Sequence, residues 1–340
     1  MVKRFYHNNQ QGNIRTLAHI TTGVIMKNNT AGIFGYLNAY IPVGKSKRNL
    51  TEDIIEDFFD DFDSHVYLRG QPGVGKTHIV TTTAENKNVV LMQIDGNITK
   101  WAFTKKLSVT LKMAGWPASD TKPTQKQIDA LPRVVVFMDD CPNALDGDFI
   151  DTMKIALDTD KKDYWPYNVS LGGQYKQAEP FERDAMDHFR IEGEPGLTLP
   201  FYNKVKFIFT MNHALVSEKD VERYKEKFKA QGKEPPIKIL ATMEHKAALD
   251  SRVEYHDLHM TKEEYWGWIA DLLINEKILK GATKKDCEEM LQFLYDNWSN
   301  LRDKSVRMVK NKLWKNKQKS KYRKGFDYKS RWYALCERDI

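Results

Sequence analysis

Residues 70–77 read GQPGVGKT, the spacing G-x-x-x-x-G-K-[ST]. Gly70, Gln71, Pro72, Gly73, Val74, Gly75, Lys76 and Thr77 together suit a grip on phosphate. Glycines let consecutive backbone N–H groups turn inward around the oxygens, and Lys76 can extend an ammonium to the β and γ phosphates. Thr77 offers a hydroxyl to Mg²⁺, while the helix expected after it aims its positive end at the anion. The ligand expected from these residues is a nucleotide with Mg²⁺.

About sixty residues further on, Asp139 and Asp140 close an apolar run. Two carboxylates in that position suit two tasks: Asp139 joins Thr77 in the Mg²⁺ shell, and Asp140 polarises an attacking water. Asn212 ends another apolar run, with a neutral amide able to bond both a γ-phosphate and that water. Arg252 carries a planar, permanently charged fork suited to charge developing on a transferring phosphoryl group, and a residue in that role can come from a neighbouring subunit. Arg302 and Arg307, on a helical stretch nearer the C-terminus, can reach the same phosphates from another side.

Positioning these groups requires strand ends. SHVYLRG reads as a short buried strand before the loop, and HIVTTTAE as the helix after it. NVVLMQID is a second buried strand, followed by the amphipathic helix ITKWAFTKKLSVTLKMAG, which Gly115 and Pro117 end. RVVVFMDD is the third, and its unbroken hydrophobicity fits a strand covered on both faces of a parallel sheet. KVKFIFTMN is the fourth, and AALDSRVEYHDL a helix end leading into a fifth. Strands alternating with helices predict a doubly wound α/β core whose ligands gather at the carboxyl ends of the strands.

Upstream, Thr51 followed by acids is the expected N-cap of a helix with an apolar face of Ile54, Ile55, Phe58, Phe59 and Phe62. From Thr261 onward the pattern is helical throughout. The expected organisation is an N-terminal segment, 1–50, with some β-like runs such as LAHITTGVIM but no assignable chemistry; an α/β core, 51–260; and an all-α lobe with a basic tail, 261–340.

A chain of 340 residues, 41% hydrophobic and 29% charged, can bury a sizeable core beneath a charged surface, which excludes disorder throughout. No apolar run is long enough for a membrane span, and MVKRFYHNNQ lacks the apolar stretch of a secretory leader, so a cytoplasmic protein without membrane contact is expected. Cys141, Cys287 and Cys336 are too scattered for a disulfide framework or zinc ribbon. The net charge of +7 is unevenly spread: residues 304–331 hold twelve Lys or Arg against the single acid Asp327, whereas the stretch TEDIIEDFFDDFD is acidic. Such a tail suits a phosphate backbone.

In order and spacing, these motifs resemble those of the AAA+ ATPases over roughly residues 50 to 315. GQPGVGKT looks like Walker A, VVVFMDD like Walker B, FIFTMN like sensor 1, LDSR like the arginine-finger region and NLRDKSVR like sensor 2. The resemblance implies a mainly parallel five-stranded α/β core followed by a small all-α lid, with ATP and Mg²⁺ as ligands and ATP hydrolysis as the activity. It also implies a homo-oligomer, a ring or filament of hexameric kind. The family usually has Asp-Glu in Walker B; here Asp140 follows Asp139, and the shorter carboxylate stands about a methylene further from the water. The long stretch ahead of FIFTMN resembles a pre-sensor hairpin, with Gly172 and Gly173 at its turn and Lys176 near the tip. Trp101 and Phe103 of TKWAF belong either to a pore loop or, more commonly for aromatics at a helix start, to the core.

Two kinds of machine fit this resemblance, ahead of a third reading as a non-hydrolysing nucleotide-gated scaffold. One acts on DNA, as a replication helicase, helicase loader or clamp-loader-like ATPase, and is favoured by the basic tail, the Lys-bearing insertion and the Asp-Asp pair. The other is a MoxR or cobalt-chelatase-like ATPase that remodels a protein partner, favoured by GEPGLTLPFYNKVKFIFTMN. The composition also looks like that of phage-encoded or mobile-element members, and the DNA reading is preferred.

Overall fold

The computed structural model describes residues 32–158, 164–168 and 172–336, so LAHITTGVIM lies outside the described residues. One compact unit is Lys47–Thr261; the described residues on either side of it form the other.

The first helix, α1, spans Gly32–Asp61 and contributes to both units. It corrects the expected N-cap at Thr51, which lies inside the helix, 2% exposed, with its hydroxyl donating to the Lys47 carbonyl at 3.0 Å. A hydroxyl bonding back one turn satisfies itself within a helix as well as it caps one.

In the larger unit, β1 (Val66–Arg69), α2 (Lys76–Asn86), β2 (Val90–Asp95), α3 (Lys100–Met113), α4 (Gln125–Asp129) and β3 (Val134–Asp139) come first. Then follow α5 (Gly147–Ala156), β4 (Tyr164–Tyr167), α6 (Gly173–Gln177), α7 (Pro180–His188), β5 (Leu197–Pro200) and β6 (Val205–Met211). The unit closes with α8 (Glu218–Ala230), α9 (Ile237–Asp250) and β7 (Glu254–Asp257). Five strands pair in parallel in the order β2-β3-β6-β1-β7, flanked by helices.

Period-two alternation gives β3 two apolar faces. Val134, Val136 and Met138 pack with Phe103 and Leu107 of α3 and with Ile150 and Met153 of α5. Val135 and Phe137 pack with Ile79 and Val80 of α2 and with Phe58 and Phe59 of α1. Each fully buried Phe or Val contributes roughly 1.5–3 kcal/mol relative to exposure, so the central strands resist displacement while their carboxyl ends carry polar groups.

The insertion ahead of β6 differs from a simple hairpin. β4 and β5 do pair antiparallel, with Trp165 opposite Leu199, but α6 and α7 lie between them, and Gly172 caps the short α6 instead of forming a turn. Lys176 is an exposed residue of α6. Phe103 is fully buried, its ring 4.5 Å from that of Trp165, whose indole donates to Thr104 Oγ1 at 2.8 Å. Phe103 is therefore core and not a pore-loop residue, and Trp101 packs partly buried against Tyr167.

The smaller unit is helical: the start of α1, α10 (Lys262–Ile274), α11 (Lys284–Asp296), α12 (Val306–Met308) continuing through a π-helical segment (Val309–Trp314) into α13 (Lys315–Tyr322), and α14 (Tyr328–Tyr333). A side chain at Gly44 would run into the backbone of Gly267 and Trp268, and one at Gly267 into the Tyr40 carbonyl, so two glycines permit α1 and α10 to touch backbone to backbone. Inside this unit Asp286 meets Lys317 and Lys321, each at 3.1 Å, and Glu289 pairs with Lys317 and accepts from the Tyr328 hydroxyl at 2.6 Å. Burial opposes the charge on Asp286, but bonds from Thr283, Lys317 and Lys321 outweigh it and hold the carboxyl well below its ordinary range. No described helix is long and apolar enough to cross a membrane.

Candidate functional site

The loop after β1 turns sharply because Gly73 and Gly75 adopt φ of 82° and 83°, the left-handed region that costs other residues energy. Gly75 stands at the N-cap of α2 and, being glycine, places no capping side chain on the helix start. That leaves backbone N–H groups at the first turn available to an anion. Gln71 fixes the front of the loop: its amide donates to the Met260 carbonyl at 2.6 Å and accepts from the Met260 N–H at 2.9 Å. The neighbouring strand is tied in too, through Leu258 N–H to the Arg69 carbonyl at 2.7 Å and an Arg69–Asp257 ion pair at 2.9 Å.

Lys76 begins α2 and is 7% exposed. Its ammonium donates to the carbonyls of Gly70 at 2.7 Å and Gln71 at 3.2 Å. Burial lowers its pKa, while the charges of Asp139 and Asp140 oppose that shift. The next residue reaches across the sheet: Thr77 Oγ1 donates to Asp139 Oδ2 at 2.6 Å. The other oxygen, Oδ1, accepts from the Thr210 hydroxyl. Asp140 sits one residue beyond β3 with φ of 53°, its N–H donating to the Thr210 carbonyl at 2.9 Å. Asn212 Nδ2 donates to Asp140 Oδ1 at 3.3 Å.

The carboxyl ends of β1, β3 and β6 thus bring Gly70–Thr77, Asp139, Asp140 and Asn212 together. Thr210 joins them unforeseen. Its signal was a lone hydroxyl in the apolar run FIFTMN, on the residue that the register sets opposite Asp139.

Arg252 lies elsewhere. It precedes β7, whose Glu254 is in register with Val66 at the beginning of β1, whereas the loop leaves the far end of β1. A four-residue strand spans about 13 Å, so the structure does not bring Arg252 to the loop of its own chain. Its guanidinium donates to the Ala248 carbonyl, approaches Asp158 Oδ2 at 4.0 Å and lines a cavity of about 520 Å³ with His65 and Glu254. Among the described residues, its buried Nε has no hydrogen-bond partner. Arg302 and Arg307 are exposed residues of the smaller unit.

Cys141, beside the carboxylates, is not a reactive thiol. Burial first, and then the charges of Asp139, Asp95 and Asp140, push it up to about 12.

The donor set fits a nucleotide with Mg²⁺. Thr77 and Asp139 present hard oxygen ligands 2.6 Å apart, and the buried ammonium of Lys76 is held by loop carbonyls that an anionic phosphate can replace. In comparisons with known proteins, no family model and no curated protein matches the chain. Among solved structures, a chain in a HORMA:CdnC:Trip13 complex from E. coli MS115-1 matches at 10% identity with a TM-score of 0.34, over 86% of each chain.

Proposed function

We propose that this chain is a P-loop ATPase of AAA+ type that hydrolyses ATP at Gly70–Thr77 and couples turnover to movement on DNA. The observation that carries the reading is the 2.6 Å bond from Thr77 to Asp139, which joins the loop after β1 to the end of β3 beside Asp140.

In this reading the backbone N–H groups of Gly73–Thr77 and the ammonium of Lys76 hold the β and γ phosphates. Thr77 and Asp139 hold Mg²⁺, which neutralises charge on the phosphate oxygens. Asp140 accepts a proton from water as its oxygen bonds to the γ-phosphorus and the bond to the ADP oxygen breaks; the proton then passes to the phosphate product. Asn212, bonded to Asp140, keeps that carboxylate turned toward the water. Arg252 serves the nucleotide of a neighbouring copy, because its own loop lies at the opposite end of the strands. That requires a homo-oligomer.

The DNA assignment rests on the exposed basic residues of the smaller unit. The test is steady-state ATPase activity with and without single- and double-stranded DNA at low and moderate salt. Stimulation that fades as salt rises supports the reading. Hydrolysis indifferent to DNA transfers it to a protein-remodelling ATPase, and no hydrolysis at all sinks both.

A further inference from the structure

The basic residues of the C-terminal helices divide into two groups by direction. Lys317, Lys321 and Lys329 point inward or sideways to Asp286 and Glu289. Lys315, Lys319 and Tyr322 follow one another at i, i+4 and i+7 along α13, which places them on one face of the helix over about 10 Å. All three are exposed, with Lys312 on the preceding turn and Arg323 and Lys324 directly after. Among the described residues, no acid pairs with Lys312, Lys315, Lys319 or Arg323.

Tyr322 distinguishes this face from an ordinary solvated one. Its side chain is 86% exposed and no described ring or cation packs against it, in a unit whose tryptophans at 266, 314 and 332 are buried. An aromatic ring left in water in line with unpaired lysines matches a single strand of nucleic acid, whose phosphates meet the cations and whose unpaired bases offer flat faces. A duplex keeps its bases stacked inside and gives the ring nothing to cover.

From this we infer that Lys312, Lys315, Lys319, Tyr322 and Arg323 form a binding face for single-stranded DNA, with Tyr322 stacking on a base. The inference rests on the DNA-directed reading above and deepens it by naming the strand state and the residues.

The test is fluorescence anisotropy of a labelled oligothymidylate with the full chain over a range of salt. Wild type is expected to bind the strand more tightly than a duplex of equal length. Tyr322→Ala should weaken strand binding about tenfold and leave the affinity for an abasic strand of equal phosphate count unchanged. Lys315→Ala with Lys319→Ala should flatten the dependence of log affinity on log salt by about 1.4, at about 0.7 per phosphate on a single strand. Because these side chains are exposed, melting temperatures should match wild type. Variants that bind as wild type does, a duplex or polyglutamate that competes as well as the strand, or equal losses from Tyr322→Ala on abasic and intact strands each overturn the face.

The two readings separate. DNA-stimulated hydrolysis with unaffected binding by the variants removes this face and leaves the ATPase. Strand binding that depends on Tyr322 in a chain without hydrolysis does the reverse.

Discussion

Thr77 and Asp139, separated by 62 positions in sequence, share a 2.6 Å hydrogen bond in which the hydroxyl donates to one carboxylate oxygen while Thr210 occupies the other. This arrangement makes Asp139 a fixed acceptor whose orientation is set from the first turn of α2 and from β6. Asp139→Asn replaces one of those oxygens by an NH₂ group that cannot accept a hydroxyl proton or ligate Mg²⁺. Hydrolysis should fall at least about a hundredfold, in line with the loss of a single preorganised charge-stabilising group. Fluorescent-nucleotide titration should find binding retained without Mg²⁺ and its Mg²⁺-dependent gain lost.

Lys76→Ala removes the ammonium that the Gly70 and Gln71 carbonyls hold behind the loop. It also leaves the Gly70 and Gln71 carbonyls without their donor. Nucleotide binding should become undetectable by calorimetry, and the melting temperature should fall modestly, because the buried Gly70 carbonyl loses its donor. Retained binding at wild-type affinity would remove Lys76 from the phosphate site.

Asp140 permits an unusually clean substitution. Its φ of 53° lies in the left-handed region, which Asn tolerates at least as well as Asp and Ala does not. Asp140→Asn should keep nucleotide affinity within a few-fold and stop turnover, whereas Asp140→Ala should add a loss of stability. Turnover by the Asn variant near the wild-type rate would transfer the proton-accepting role elsewhere.

The legible parts of this fold are those whose composition has one physical explanation. VVVFMD can be apolar at five consecutive positions up to an acid only if both faces are covered, and Asp139 then falls at a carboxyl edge. GQPGVGKT carries its own geometry in Gly73 and Gly75. By contrast, α1 was hidden: Gly35, Gly44 and Pro42 argue against a helix locally, and the close approach of Gly44 and Gly267 that rewards it depends on a segment more than two hundred residues away. Thr51 misled because acids after a Thr mark a helix start as well as a helix interior. Gly172-Gly173 looked like a hairpin turn since nothing local announces that five residues of helix follow. Thr210 needed the strand register, which a single sequence does not contain.

His65 makes acid stability testable. It is 1% exposed, its Nδ1 accepts from the Phe207 N–H at 3.1 Å, and burial, followed by the charge of Lys206, lowers its pKa to about 3. The folded ring therefore stays neutral at pH values where an unfolded histidine, near 6.5, takes up a proton. Below about pH 6.5 the unfolded state binds the extra proton, so stability declines as pH falls toward 3, by roughly 1.4 kcal/mol per pH unit from this group. His65→Gln should be less stable at neutral pH yet show a shallower fall in melting temperature between pH 6.5 and 4 than wild type. Equal slopes in the two proteins would exclude His65 as a source of the acid sensitivity.

Arg252 gives the sharpest test of assembly. Its place before β7 denies it the phosphates of its own loop, so a contribution to hydrolysis must cross to another copy. Arg252→Ala alone should bind nucleotide normally and hydrolyse it at least about a hundredfold more slowly, the scale of an arginine supplied in trans being a thousandfold or more. Lys76→Ala alone has an empty loop but an intact Arg252. Mixed, the two inactive proteins can form interfaces in which an intact loop from one copy faces an intact arginine from the other. Activity should therefore reappear on mixing, rise with protein concentration and reach at most about a quarter of wild type if copies assort at random. Two variants that remain as inactive together as apart, while sedimentation shows that they co-assemble, would assign Arg252 to the structure of the sheet edge beside Asp158 instead.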